Sequence, residues 1–193
     1  MPKPRNAASG WRFRGRNEWP FLSRCARKPI PMNETLHKDF REFLQSLIER
    51  NVKFLVIGGY AVAWLGRPRN TDDLDIWVEN SEENAHKVHD ALVDFGFGGT
   101  ALDPALFTRD HGIVRLGTPP WKIEIFVAIP GVTFSECYPR RIVWPVGEME
   151  VPMICLADLR TNKLAAGRPK DFADLAHHLP ETDEPSIGQA DGH

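Results

Sequence analysis

The sequence predicts an α/β (α+β) domain built on a mixed β-sheet that is flanked by helices. The run FLVIGG is short, apolar and closed by a diglycine, which is typical of a buried strand, and the helical segment YAVAWLG follows it directly. Amphipathic segments stand before and after this unit, and short strand pairs come later in the chain. Because helices and strands intermix along the chain, helices packed on a mixed sheet are the expected architecture.

The first half of the chain predicts two amphipathic helices around two strands. Asn33 can cap the first helix, which is predicted to run to about Asn51. One apolar stripe at helical spacing supports this helix, formed by Leu36, Phe40, Phe43, Leu44, Leu47 and Ile48. After the FLVIGG strand and the helix that opens at its diglycine, Leu74–Val78 is predicted to be a second strand. Glu82–Phe95 is predicted to be a helix, closed by the breaker FGFGG.

The second half predicts two strand pairs followed by two helices. The predicted strands are Gly112–Leu116, Lys122–Val127, Arg141–Pro145 and Met149–Pro152. TPPW forms the turn of the first pair, and GRPK separates the predicted helices Ala157–Ala166 and Asp171–His178. Asp171 can cap the last helix, and Asp174 lies three residues on, which indicates a structural role for both.

Size and composition indicate one globular domain, predicted to span residues 33–180. The chain has 193 residues, of which 42% are hydrophobic, and this length can bury a core without disulfides or a structural metal. No run approaches 18 uninterrupted apolar residues, so no membrane span is expected. The three cysteines are widely separated and outside any CxxC spacing, which argues against a zinc site and favours a reducing cytoplasm.

Charge is distributed unevenly along the chain. Residues 1–32 hold eight Lys or Arg and one acid, whereas residues 33–193 hold 16 basic and 25 acidic residues, a net charge of −9. A domain with this negative net charge does not bind nucleic acid through its overall charge, so nucleic-acid binding would need a local basic groove. Residues 1–32 are predicted to be a disordered basic extension or the product of an upstream start before Met32, with a transit peptide or nucleic-acid-binding arm as alternatives. Residues 181–193 are predicted to be a disordered tail.

The stretch RNTDDLD, residues 69–75, places three carboxylates at the start of a predicted strand. Period two sends Asp73 and Asp75 to one face, Leu74 into the core and Asp72 to the other face. Two carboxylates at this spacing suit Mg²⁺, which takes hard oxygen ligands and keeps waters for a phosphate-bearing substrate. A solvated strand end is the alternative interpretation.

The diglycine Gly58-Gly59 lies between a buried strand and a helix. Bare backbone N–H groups and a helix N-terminus meet at this point, and such an arrangement binds phosphate. Neither the Rossmann nor the Walker pattern is present. A tight turn that needs a positive φ angle is the alternative, because glycine adopts it without strain.

The order strand, diglycine, short helix and RxTxDxD resembles the nucleotidyltransferase superfamily to which DNA polymerase β belongs. Residues 54–78 resemble the small bacterial nucleotidyltransferases of the AbiEii toxin and minimal MNT type, and LRTNKLAAGRPKDFADL, residues 159–175, resembles their closing segment. The resemblance spans about residues 34–180. It implies a polymerase β-like fold that transfers an NMP from an NTP to a hydroxyl of RNA, protein or a small molecule, with Mg²⁺ or Mn²⁺. It also implies a toxin–antitoxin setting with a partner protein.

The resemblance assigns the metal and phosphate ligands by position. Asp73 and Asp75 match the two metal-binding aspartates of the family. Glu124, in KIEIF, stands where a third aspartate is usual, so it is expected to complete the metal site. Gly58 and Gly59 match the loop that holds the triphosphate, where Gly-Ser is the commoner pair.

Basic residues are expected to offset the charge of the triphosphate. The family counterpart of Lys163 has this role, and Arg168 and Lys170 could share it or cap the preceding helix. Arg69 is expected to contact phosphate, and Thr71 to hold its loop through backbone hydrogen bonds. A member that keeps the fold but lacks activity, and binds nucleotide or protein instead, is the rival interpretation, because Gly59 and Glu124 both depart from the usual residues.

Overall fold

Residues 36–97 and 102–181 are described by a computed structural model. The predictions for residues 1–32, for the tail beyond residue 181 and for the cap at Asn33 lie outside this range. The described chain forms a six-stranded mixed sheet with strand order β3-β4-β2-β1-β6-β5. The strands are β1 (Phe54–Val56), β2 (Asp73–Val78), β3 (Ile113–Thr118), β4 (Trp121–Phe126), β5 (Ile142–Val146) and β6 (Met149–Met153).

Parallel and antiparallel pairs both occur in the sheet, as the mixed-sheet prediction requires. Strand β2 runs parallel to β4, and β1 runs parallel to β6. The pairs β1–β2, β3–β4 and β5–β6 are antiparallel. The coarse prediction of an α/β domain with a mixed sheet and helices is therefore confirmed.

In residues 36–97 and 102–181, six helices accompany the strands, together with three short π or 3₁₀ segments. They are α1 (Lys38–Glu49), α2 (Gly58–Leu65), α3 (Glu82–Leu92), α4 (Phe134–Cys137), α5 (Leu156–Ala166) and α6 (Pro169–His177). Helix α1 packs against α3, and α5 packs against both α2 and α6. Among the described residues, no helix is both long and apolar enough to cross a bilayer.

Burial explains why the central strand–helix unit forms. All three residues of β1 are buried, as expected of a strand that has a neighbour on each side. Helix α2 is apolar almost all round, and residues 59–63 are buried, which is typical of a helix inside a core. Its first residue, Gly58, follows the strand after a single linking residue, so the diglycine is held where β1 ends.

The structure defines the starts of two helices, and that of α6 differs from prediction. Helix α1 begins at Lys38, where Nδ1 of His37 accepts from the backbone N–H of Asp39 at 3.4 Å. Helix α6 begins at Pro169 with Arg168 in the cap position, so the prediction that Asp171 caps this helix is wrong. Proline fits the first turn because its missing N–H has no helical partner there. The side chain of Asp171 is thereby free to point inward, where it is fully buried.

Candidate functional site

The register of the sheet places the predicted metal ligands side by side. Asp75 on β2 is the direct partner of Glu124 on β4, and Glu124 is in turn the direct partner of Arg115 on β3. Asp73 is the partner of Lys122 in the adjacent row. Two acids from β2 and one from β4 thus share one face of the sheet, at the end where both strands begin. The side chains of directly paired residues lie close enough to interact.

Burial agrees with the predicted orientation of Asp73, Leu74 and Asp75 in β2, whereas Asp72 precedes the strand and its predicted face stays a prediction. Leu74 is fully buried, whereas Asp73 and Asp75 on either side of it are partly buried and Asp72 is exposed. The carboxylate of Asp73 lies 3.8 Å from the Nζ atom of Lys122, which therefore balances part of its charge.

Asp75 is the least neutralised of these acids. Burial, reinforced by the nearby charge of Glu124, raises the pKa of Asp75 to about 6, against opposing contributions from the Gly59 N–H and Lys170. No Lys, Arg or His within the described ranges makes an ion pair with it. A buried carboxylate without a cationic partner is costly, and a bound cation would relieve that cost.

The diglycine lies directly against the carboxylates. Gly58 has a φ of +62°, and a Cβ atom there would overlap the carboxylate of Asp75. A Cβ atom on Gly59 would overlap the hydroxyl of Thr71. The backbone N–H of Gly59 points to Oδ2 of Asp75 at 3.4 Å. Glycine is required here for close approach as well as for the turn.

Thr71 and Arg69 secure the loop that precedes β2. The Thr71 hydroxyl donates to the carbonyl oxygen of Asp73 at 3.3 Å, which is the kind of backbone contact that was expected of it. Arg69 Nε lies 3.2 Å from Oδ1 of Asp174 but is not aligned for a hydrogen bond. Its guanidinium therefore faces helix α6, and its expected contact with phosphate remains a prediction.

Lys163 is buried between two carboxylates of α6. Its Nζ atom donates to Asp171 at 3.0 Å and to Asp174 at 2.7 Å, and the lysine is only 4% exposed. Arg168 donates to Asp171 at 2.6 Å. Burial acts to raise the pKa of Asp171, but the bonds from Arg168 and Lys163 outweigh it and hold this pKa below its ordinary value. In this arrangement Lys163 fastens α5 to α6.

Two basic residues of the GRPK segment interact with the carboxylates through their charges. The pKa of Arg168 is raised, first by its bond to Asp171 and to a smaller extent by the charges of Asp75 and Glu124. Lys170 is exposed, and its charge lowers the pKa of Asp75. Arg168 and Lys170 are thus the basic residues of this segment that act on the cluster. The cap of α5 is Gly167, with a φ of +63°, rather than either of these cations.

Two residues at the site had not been singled out from the sequence. Arg115 Nε donates to Oε1 of Glu124 at 2.7 Å, and Lys122 neighbours Asp73. The alternation in KIEIF does place Lys122 and Glu124 on one face, which is the signal that could have identified Lys122. Arg115 could be found only from the pairing of β3 with β4.

The donor set fits a hard divalent cation, although the third acid is directed elsewhere. Asp73, Asp75 and Glu124 supply carboxylate oxygens on one face, and Asp75 makes no ion pair with any residue that the structure describes. Glu124 pairs with Arg115. In the described part of the chain, no three His, Cys, Asp or Glu residues converge in a metal-holding group.

A surface cavity of about 190 Å³ lies elsewhere, where the end of α2 meets the end of α6. It is lined by residues 66–67 and 176–180 and includes none of the carboxylates. The backbone N–H of Arg67 donates to the carbonyl oxygen of His178 at 2.8 Å in its wall. The cavity thus marks the junction of two helices and contains no acidic side chain.

No family model and no curated protein matches this chain.

Proposed function

We propose that this chain is a nucleotidyltransferase with a polymerase β-like fold, which moves an NMP from an NTP to a hydroxyl acceptor. The observation that carries the proposal is the contact between the diglycine turn and Asp75, in a sheet that also pairs Asp75 with Glu124. The turn that is predicted to bind phosphate therefore lies next to the carboxylate pair. Each element alone is common, and together they suit nucleotide transfer, since one binds phosphate and the other can hold the metal ion that offsets its charge.

Asp73 and Asp75 would hold a Mg²⁺ or Mn²⁺ ion, with Glu124 as the third acid. Such an ion, when bound, offsets charge on the phosphate groups of the NTP and on the pyrophosphate that leaves. The backbone N–H groups at Gly58-Gly59 and the start of α2 would orient the phosphate groups. Arg168 and Lys170 would attract the triphosphate to this edge, because their charges already act on the carboxylates.

Positioning and electrostatics would account for most of the rate, as in phosphoryl transfer generally. The acceptor is RNA, a protein or a small molecule, and a toxin–antitoxin partner protein is part of the proposal. A direct test incubates the full chain with each α-labelled NTP, Mg²⁺ and cell lysate, and identifies the molecule that acquires label. The control is Asp73→Asn/Asp75→Asn. Label that appears equally with both proteins would refute the proposal.

The second candidate is a nucleotide- or protein-binding module without catalysis. The pairing of Glu124 with Arg115 favours it, because the third acid is directed away from its expected partners. Calorimetry with NTP and Mg²⁺ separates the two candidates. Tight binding that depends on Asp73 and Asp75, without label transfer to any acceptor, would favour the module. Absence of any cation-dependent NTP binding would exclude the enzyme.

A further inference from the structure

Glu124 occupies the centre of a row of three charged side chains that crosses three strands. Asp75 lies opposite it on β2, and Arg115 lies opposite it on β3. The Glu124 carboxylate accepts from Arg115 Nε at 2.7 Å. One acid of the row is therefore neutralised by the protein itself, whereas Asp75 is not.

Exposure distinguishes the two partners of this ion pair. The Glu124 side chain is 19% exposed, whereas that of Arg115 is 61% exposed. A guanidinium that is mostly in water loses little free energy of interaction when it leaves its partner, because exposed ion pairs add little stability. Arg115 stands on β3, an edge strand of the sheet, so water is available to it after it leaves.

We propose that Arg115 is a displaceable counter-ion, which occupies Glu124 until a divalent cation bound at Asp73 and Asp75 takes its place. The proposal rests on the proposed function, since it assumes that those aspartates bind the cation. Arg115 is then a positioning residue that determines whether two or three carboxylates face the cation. A doubly charged ion competes well for Glu124, since it interacts with Asp75 at the same time.

Manganese binding without nucleotide tests this directly. Free Mn²⁺ is measured by electron paramagnetic resonance in titrations of the full chain at about pH 8, which lies above the pKa of Asp75 of about 6. Four proteins are compared: wild type, Arg115→Gln, Glu124→Gln and the double variant. Circular dichroism melts check that each of them is folded.

We expect Arg115→Gln to increase the affinity for Mn²⁺ only when Glu124 is present. Arg115→Gln should bind Mn²⁺ about fivefold more tightly than wild type, which corresponds to the loss of one exposed ion pair. In the Glu124→Gln background the same substitution should change the affinity by less than about twofold. The background control is necessary because removal of any nearby positive charge raises cation affinity.

Two results would overturn the inference while manganese binding by wild type remains intact. One is an equal increase in Mn²⁺ affinity when Arg115→Gln is introduced into wild type and into Glu124→Gln, which would reflect long-range charge alone. The other is no gain at all in the single variant. If neither wild type nor Arg115→Gln binds Mn²⁺, the proposed function fails and this inference fails with it.

Discussion

Asp75 and Glu124 are directly paired across the parallel strands β2 and β4, and the charge of Glu124 disfavours the ionised form of Asp75. Only Glu124 has an ion-pair partner of its own within the described residues, at Arg115. Of the two carboxylates, Asp75 is consequently the one whose charge is more costly to the fold. The cost follows from burial first and from the neighbouring acid second.

The first prediction concerns the pH dependence of stability. Because the pKa of Asp75 is raised from 3.8 to about 6, the folded chain keeps a proton between these values that the unfolded chain has released. The free energy of unfolding should therefore fall as pH rises through this window. Asp75→Asn should remove this effect, and should be more stable than wild type above pH 6 by an amount on the order of 2 kcal/mol.

Urea unfolding of wild type and Asp75→Asn from about pH 4 to pH 8 measures this difference. Asp73→Asn is the matched control, because the Asp73 side chain is 42% exposed and its carboxylate is already in contact with water. If the free energies of unfolding of wild type and Asp75→Asn differed by the same amount at every pH in this range, the raised pKa of Asp75 would be contradicted.

The second prediction concerns the contact between Gly58 and Asp75. Gly58→Ala should destabilise the fold for two reasons. Its φ of +62° is unfavourable for alanine, and the new Cβ would overlap the Asp75 carboxylate. Gly147→Ala is the matched control, since Gly147 has a φ of +63° but a Cβ there meets nothing within 4 Å. The control should cost about 1 to 2 kcal/mol. Gly58→Ala should cost more than the control and should also weaken Mn²⁺ binding.

Both effects can be measured on the same samples, by urea unfolding and by Mn²⁺ titration. Equal losses of stability for the two alanine variants would show that the Asp75 carboxylate moves aside without cost. Cation affinity unchanged by Gly58→Ala would show that the position of Asp75 does not matter for binding.

The local part of the site could be predicted from the sequence because it depends on local geometry. Alternation along β2 is enough to place Asp73 and Asp75 on one face and Leu74 in the core. A diglycine between an apolar strand and a helix likewise specifies a turn at the start of that helix. Neither conclusion needs the position of any distant residue.

The pairing of distant residues could not be predicted in the same way. The register of β2 with β4 decides that Glu124 faces Asp75, and it depends on packing between strands more than 40 residues apart. The pairing of Arg115 with Glu124 has the same origin. Lys163 was assigned to phosphate, but its nearest partners, Asp171 and Asp174, depend on how α6 folds back on α5.

The third prediction addresses the role of Lys163. Lys163→Met keeps the length of the side chain but leaves Asp171 and Asp174 with less neutralisation in a buried site. Loss of one partner from a buried ion pair costs about 3 to 5 kcal/mol, so the variant should be strongly destabilised.

Lys87→Met is its control, because the Lys87 pair with Glu83 is exposed and its loss should leave the stability close to that of wild type. Urea unfolding compares the two variants. If Lys163→Met were as stable as wild type and only lost NTP affinity, a direct contact of Lys163 with phosphate would replace the structural role.

The fourth prediction concerns Lys170, which is exposed and acts on Asp75 through its charge. Because Lys170 lowers the pKa of Asp75, Lys170→Gln should raise this pKa further above its ordinary value. Mn²⁺ binding requires the deprotonated carboxylate, so the pH at which binding reaches half its maximum should move upward. NTP affinity should also fall, and its dependence on salt should weaken, because one phosphate-attracting charge is lost.

Lys53→Gln is the matched control, since Lys53 is also an exposed lysine but pairs with Glu79 outside the carboxylate cluster. Mn²⁺ titrations between about pH 5 and pH 8, combined with NTP calorimetry at low and high salt, measure all three effects. If the two lysine variants shift the pH profile equally, the effect reflects net charge alone. A shift specific to Lys170→Gln with unchanged NTP affinity would mean that this lysine adjusts Asp75 without meeting the triphosphate.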